Sequence, residues 1–234
     1  MYKRQGVDKV KNLIQSNPAQ ASEEAGELLK GKNKKNVDLV TSVAHVYLDA
    51  GKITEAQEYL AMAKKANNKD PKVSVLEGDI ALAQKNIGQA CQLYEQAIYF
   101  DPNCKEAYLK YAQAYKSASP TQAIEKLEQL KAVDPNCLEA DRELAEVYYS
   151  GNRFGKAAEM YAKFIDTPLA TEDDMLKYAF ALFLNHDFEK SLQVAQKGLQ
   201  KNARHAAFNR LVMYNNTDLK RYEDAEKAAD AFFN

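Results

Sequence analysis

The sequence predicts an all-α chain, an α–α superhelix built from about seven stacked helical hairpins, and three features predict it. Small residues recur at Ala44, Gly78, Ala112, Ala145 and Ala179, at separations of 34, 34, 33 and 34. A second series, Ala56, Ala90, Ala123, Ala157, Ser191 and Ala225, runs at 34, 33, 34, 34 and 34. Between these marks apolar residues keep helical spacing and are broken by Gly- and Pro-containing turns. A fixed period of roughly 20–50 residues is the mark of a repeat array.

The elements follow in order. Residues 1–5, Met1-Tyr2-Lys3-Arg4-Gln5, match a translated transposase mosaic-end adapter and are expected to be non-native. Residues 6–36 form a divergent helical pair in which Gly26 and Gly31 are expected to end a helix. Repeat 37–70 carries Ala44 and Ala56, and Asp70-Pro71 closes it. Repeat 71–104 is the clearest. Leu76, Ile80, Leu93, Ala97 and Phe100 recur at helical spacing, Lys85-Asn86-Ile87-Gly88 divides its two helices, and Asp101-Pro102-Asn103 stops the second.

Repeat 105–137 is one residue short, and the two series place the deletion at Ser119-Pro120, where Pro120 suits a first helical position and Ser119 its cap. Repeats 138–171 and 172–205 restore the period, with Thr167-Pro168 between them. Residues 206–234 hold an incomplete last unit, in which Met213 replaces the small residue. The chain is expected to continue beyond Phe232 and Phe233, which no following repeat covers.

The segment Gly78-Asp79-Ile80-Ala81, through Ala90-Cys91-Gln92-Leu93-Tyr94-Glu95-Gln96-Ala97, to Asp101-Pro102-Asn103 resembles the tetratricopeptide repeat family, and bacterial members in particular. Helices crossing at about 8–10 Å need a small side chain at the contact, and Tyr47, Tyr94, Tyr115, Tyr148 and Tyr161 supply volume beside it. Departures are Glu77 before the small residue, Ala81 and Leu182 for aromatics, and Met213. The resemblance implies a scaffold that binds a protein or peptide in its groove without catalysis. The alternative it leaves open is an accessory region of a larger enzyme or sensor.

Composition narrows the function. Thirty-two Lys and Arg against 33 Asp and Glu give a net charge of -1, which offers no general attraction to nucleic acid or an anionic membrane. The longest apolar stretches, such as Met175 to Leu184, are too short to span a bilayer. Cys91, Cys104 and Cys137 lack CxxC spacing. Cys104 and Cys137 fall one repeat apart, where helix stacking at about 8–10 Å exceeds the roughly 7 Å a disulfide spans. Free thiols fit a reducing compartment best, odd cysteines also occur in periplasmic proteins, and the choice between bacterial periplasm and cytoplasm stays open.

No motif supplies chemistry. Gly26 to Asn33 mimics a GxxxxGK phosphate loop, but Asn33 stands where the magnesium-binding hydroxyl belongs and no strand precedes it. His45, His186 and His205 lie in separate repeats with no HExxH pairing. No cofactor or metal is expected. Asn215-Asn216-Thr217 is a formal glycosylation acceptor that falls in the first helix of the last unit. Asp173-Asp174 and Glu23-Glu24 read as helix-start acids favoured by the dipole.

What remains is the concave face of the first helices, the surface that stacked hairpins use for recognition. In the family register it includes Asp38, Thr41, His45, Lys72, Leu76, Asp79, Glu106, Leu109, Lys110, Gln113, Glu139, Arg142, Glu143 and Glu146. It ends on Leu176, Lys177, Phe180, Phe183, Arg210 and Tyr214. Glu139 to Glu146 is a solvated helix face or an acidic patch for a basic ligand. Phe180 and Phe183 anchor an apolar peptide segment or pack against neighbouring helices. Some family members clamp a chaperone carboxylate with Lys, Asn and Arg. Here Thr41, His45, Leu76 and Glu106 fill those places and only Lys110 keeps the charge, which argues against a clamp.

Overall fold

The computed structural model describes the backbone of residues 2–233 and the side chains of residues 3–230. The side chains of Phe232 and Phe233, and Met1 of the adapter-like start, lie outside the described residues. Among the described residues the chain is all α: fourteen α-helices, a 3-10 turn at Gly31–Lys35, and no strand. The helices pair as consecutive hairpins, and the chain divides into two compact units, residues 1–126 and 127–234.

The first unit holds α1 (Tyr2–Ser16) with α2 (Pro18–Leu28), α3 (Val37–Asp49) with α4 (Ile53–Asn67), and α5 (Pro71–Ala83) with α6 (Ile87–Phe100). It continues through α7 (Lys105–Tyr115) into the first half of α8 (Pro120–Val133). The second unit holds the rest of α8, then α9 (Leu138–Ser150) with α10 (Phe154–Phe164), α11 (Glu172–Leu184) with α12 (Phe188–Lys201), and α13 (Ala206–Asp218) with α14 (Tyr222–Phe233).

Both small-residue series are buried throughout. The physical reason is explicit at Gly78, where a Cβ would stand 2.5 Å from the ring of Tyr94, itself fully buried. The same aromatic volume reappears as Tyr161 and Phe164 in the second unit. Leu76 is also fully buried, which corrects its placement on the groove face: it belongs to the core formed with Val73 and Ile80.

Helix ends follow local chemistry. Asn17, Asn36, Asp70 and Asn86 cap helix starts with their side chains. Pro71 therefore opens α5 as well as closing the previous repeat. Five first helices end with one hydrogen-bond pattern, in which a left-handed residue is followed by an N–H that reaches back five residues. Gly51, Lys85, Asn152, His186 and Lys220 take the left-handed position, with φ from 57° to 74°. This is the Schellman arrangement that satisfies the last carbonyls of a helix. The shortened turn before Pro120 has no such residue.

Gly26 lies inside α2 and does not end a helix as expected; Gly31, at φ 59°, begins the 3-10 turn that follows. All three cysteines are free thiols, and Cys104 and Cys137 stand at the N-caps of α7 and α9. No helix among the described residues is long and apolar enough to cross a membrane.

Candidate functional site

First helices contact first helices of the next hairpin: α1 with α3, α3 with α5 and α5 with α7 in one unit, and α11 with α13 in the other. Their exposed sides thus form a shared face within each unit, and most residues predicted for binding lie on it. The structure shows that much of its charge is occupied.

In the first unit, Asp79 is buried on α5 and takes three bonds. The Tyr94 hydroxyl donates to Oδ1 at 2.7 Å, Lys110 donates to Oδ2 at 2.8 Å, and His45 Nε2 lies 3.0 Å from Oδ2. Burial alone would raise the carboxyl pKa, but these bonds and the Lys110 charge hold it below the ordinary aspartate range. Burial and the neighbouring carboxylate push the Tyr94 phenol up, so it stays a donor. Lys110, the single cation left from a clamp, is thus committed to Asp79. Lys72 pairs with Asp38, while Glu106 and Gln113 are exposed. Thr41 is buried and bonds the carbonyls of Val37 and Asp38, so it faces its own helix.

The second unit repeats this arrangement at Glu146 on α9. The Tyr161 hydroxyl donates to it at 2.8 Å and Lys177 reaches both its oxygens at 3.0 Å. Lys177 also meets Asp173 at 2.8 Å. Burial opposes the lysine charge, but the bonds to Asp173 and Glu146 prevail and raise its pKa. Arg142 grips Asp174 with Nε at 3.1 Å and Nη2 at 3.0 Å. Asp174 also forms a capping box with Thr171 at the start of α11. Asp141, which the sequence reading did not single out, is buried between Lys131 at 2.8 Å and Lys163 at 3.2 Å. Glu139 and Glu143 are half-buried.

Beyond these pairs the face turns apolar. Leu176, Phe180, Phe183 and Met213 are half-buried against the core of α11 to α13. Phe183 stacks on Phe188 at 5.6 Å and on Tyr214 at 6.1 Å, and Tyr214 is 41% exposed. Arg210 is exposed one turn from Tyr214 on α13. The aromatic side chains predicted here therefore form one patch, partly seated in the core and partly open.

The repeat geometry and its residues agree with a sequence profile described as the tetratricopeptide repeat, which matches residues 44–104 and 113–170. The chain belongs to the tetratricopeptide repeat family. Among solved structures it is similar to PilW, described as a type IV pilus biogenesis factor, at 16% identity over 88% of this chain and 95% of that one, with a TM-score of 0.66. It is similar to PilF of Pseudomonas aeruginosa at 16% identity, covering 90% and 98% of the two chains, with a TM-score of 0.64. YrrB, described as a tetratricopeptide protein with an unusual peptide-binding site, shares 13% identity over 79% and 95%, with a TM-score of 0.57. At these identities the likeness is one of fold. A comparison with curated proteins by sequence finds no match.

Proposed function

We propose that this tetratricopeptide repeat chain is a non-catalytic scaffold that binds a protein or peptide segment through the first-helix face of its second unit. One observation carries the reading: the patch of Phe180, Phe183 and Tyr214 stays partly open on α11 and α13 beside charges that are already paired. Aromatic groups in partly desolvated positions dominate binding energetics. Charged groups already engaged in good pairs gain little by exchanging partners. An apolar anchor on the ligand therefore fits this end better than a strongly charged one.

Family membership and the peptide-binding site described for YrrB support a peptide as the ligand class. The test is a selection of random displayed peptides against the chain, followed by titration of the enriched sequences against Phe180→Ser/Tyr214→Ser. Enriched peptides should carry an apolar anchor and lose at least tenfold in affinity to the variant, with its helix content unchanged by circular dichroism. Equal binding to the folded variant would overturn the assignment of this patch.

A further inference from the structure

We propose that one end of the α3/α4 hairpin docks on the anionic lipid surface of a membrane through five lysines, Lys32, Lys34, Lys35, Lys65 and Lys69. The chain's net charge of -1 conceals this local excess. Residues 29–36 carry no acidic side chain, and their 3-10 turn at Gly31–Lys35 packs against both α3 and α4. The turn leads into the start of α3, and α4 runs back along α3. Lys65 in the last turn of α4, and Lys69 just beyond it, therefore lie at that same end. All five lysines are exposed and none is held in an ion pair, whereas their neighbours Lys30, Lys64 and Lys72 are engaged by Glu27, Glu77 and Asp38. The remaining carboxylate of this stretch, Asp70, caps the start of α5.

The fold does not require this charge. Backbone and asparagine bonds shape the turn: Gly31 takes φ 59°, Asn33 Nδ2 donates to the Leu28 carbonyl at 2.8 Å, and the Asn36 side chain caps α3. The corresponding connections at 101–104 and 134–137 read Asp-Pro-Asn-Cys and hold no lysine. A 3-10 turn eclipses side chains three residues apart, so Lys32 stands in line with Lys35, and Lys34 adds a third charge. Like charges fixed this close cost stability. No ion pair among the described residues offsets them, and an external anion does.

The chemistry of the patch selects the partner. Each lysine near an anionic bilayer strengthens attachment about fivefold without demanding a fixed geometry. A carboxylate on a protein partner gains less per lysine, because two flexible side chains must be immobilised in water. Nucleic-acid sites add arginine forks or aromatic stacking, and residues 29–36 and 63–72 contain neither arginine nor an aromatic ring. The acidic residues Asp49 and Glu55 lie at the other end of the hairpin. The 13 residues of α3 separate the two ends by about 20 Å, well beyond the screening length of about 8 Å. An anionic surface therefore attracts the lysine end without meeting the acidic one.

The full chain is sedimented with vesicles of phosphatidylcholine, alone or mixed with phosphatidylserine, at low and high salt. Binding is expected to the phosphatidylserine vesicles at low salt only. Lys32→Gln/Lys34→Gln/Lys35→Gln should weaken it about 100-fold and Lys65→Gln/Lys69→Gln about 20-fold, with helix content unchanged by circular dichroism. Lys52→Gln/Lys85→Gln, at the opposite ends of their hairpins, should stay within about twofold. The triple variant should also melt above the parent at low salt, with the gap closing at high salt, and equal melting in both would overturn the claim of uncompensated charge. Equal binding to phosphatidylcholine, a triple variant that binds like the parent, or an equal loss in the Lys52/Lys85 variant would overturn the membrane assignment. Capture of a DNA duplex or of decaglutamate through these lysines, without vesicle capture, would overturn it in favour of nucleic acid or an acidic protein.

Discussion

The bonds around Asp79 predict a large, measurable coupling. Removing the carboxylate by Asp79→Ala leaves the hydroxyl of fully buried Tyr94 without an acceptor, a cost of about 1–3 kcal/mol. Lys110 and His45 are about a third exposed and regain water, so each lost contact adds only about 0.5 kcal/mol. The sum is about 3 kcal/mol. Asp79→Asn keeps an acceptor for Tyr94 and should cost about half as much. Tyr94→Phe should cost about 1–2 kcal/mol in the parent but close to nothing in the Asp79→Ala background, where it removes the orphaned hydroxyl. The assay is urea unfolding followed by far-ultraviolet circular dichroism, since the chain has no tryptophan. Hydrogen exchange of α5 to α7 reports the local loss, because stacked hairpins need not unfold as one. Additive single variants, with coupling below about 0.5 kcal/mol, would refute the claim that Asp79 and Tyr94 act as a pair.

Four further outcomes follow from the same structure. Gly78→Ala sets a Cβ against a Tyr94 ring with nowhere to go and should cost about 1–3 kcal/mol in the same unfolding assay. Gly51→Ala, at φ 74°, should lose about 1 kcal/mol, while Lys85→Gly and Lys220→Gly should each gain a few tenths, because a side chain already strains those turns. The lowered pKa of Asp79 makes its stabilisation complete above the unfolded aspartate value near about 3.9, and lost as pH falls through the lower folded value. Parent and Asp79→Asn melting curves should therefore converge toward acid, and a constant gap from pH 7 to pH 2 would contradict this. Burial pushes the Cys91 thiol up to about 11, so iodoacetamide at pH 8 should modify it far more slowly than glutathione.

The stacking of the chain was legible because it depends on one side chain per position. A crossing at Ala44 or Gly78 excludes bulk whatever surrounds it, and the exclusion repeats with the period. The state of the first-helix face was not legible, because it depends on residues from three helices. Asp79 looks like a groove residue by register, yet Tyr94 of the partner helix and Lys110 of the next hairpin draw it into the interior. Leu76 shares the face by spacing and is buried by the same packing. The left-handed turns were hidden for a different reason. Hydrogen bonding to the preceding helix fixes them, and at Lys85, His186 and Lys220 the chain bears the strain of a side chain where glycine would carry none.

The paired charges obey a rule that the period makes visible. Where the second helix supplies Tyr94 or Tyr161, a carboxylate stands 15 residues earlier and a lysine lies 31 residues after that carboxylate. Where the equivalent second-helix position is Leu60 or Ala195, the lysine position holds Leu76 or Leu211, both fully buried, and the carboxylate position holds His45 or Phe180. The tyrosine hydroxyl explains the linkage. A buried phenol needs an acceptor, a carboxylate drawn in to accept needs a cation, and the next hairpin supplies one. Without the phenol the requirement disappears: apolar residues replace the tyrosine and the lysine in both repeats, and the carboxylate gives way to Phe180 in one and to His45, turned toward Asp79, in the other. The same logic places the aromatic patch: Phe180 occupies a carboxylate position freed by Ala195, and Tyr214, one period later, remains at the open side of that face. Charge on this face thus joins hairpin to hairpin within each unit, and the proposed aromatic anchor lies where no phenol demands a charge.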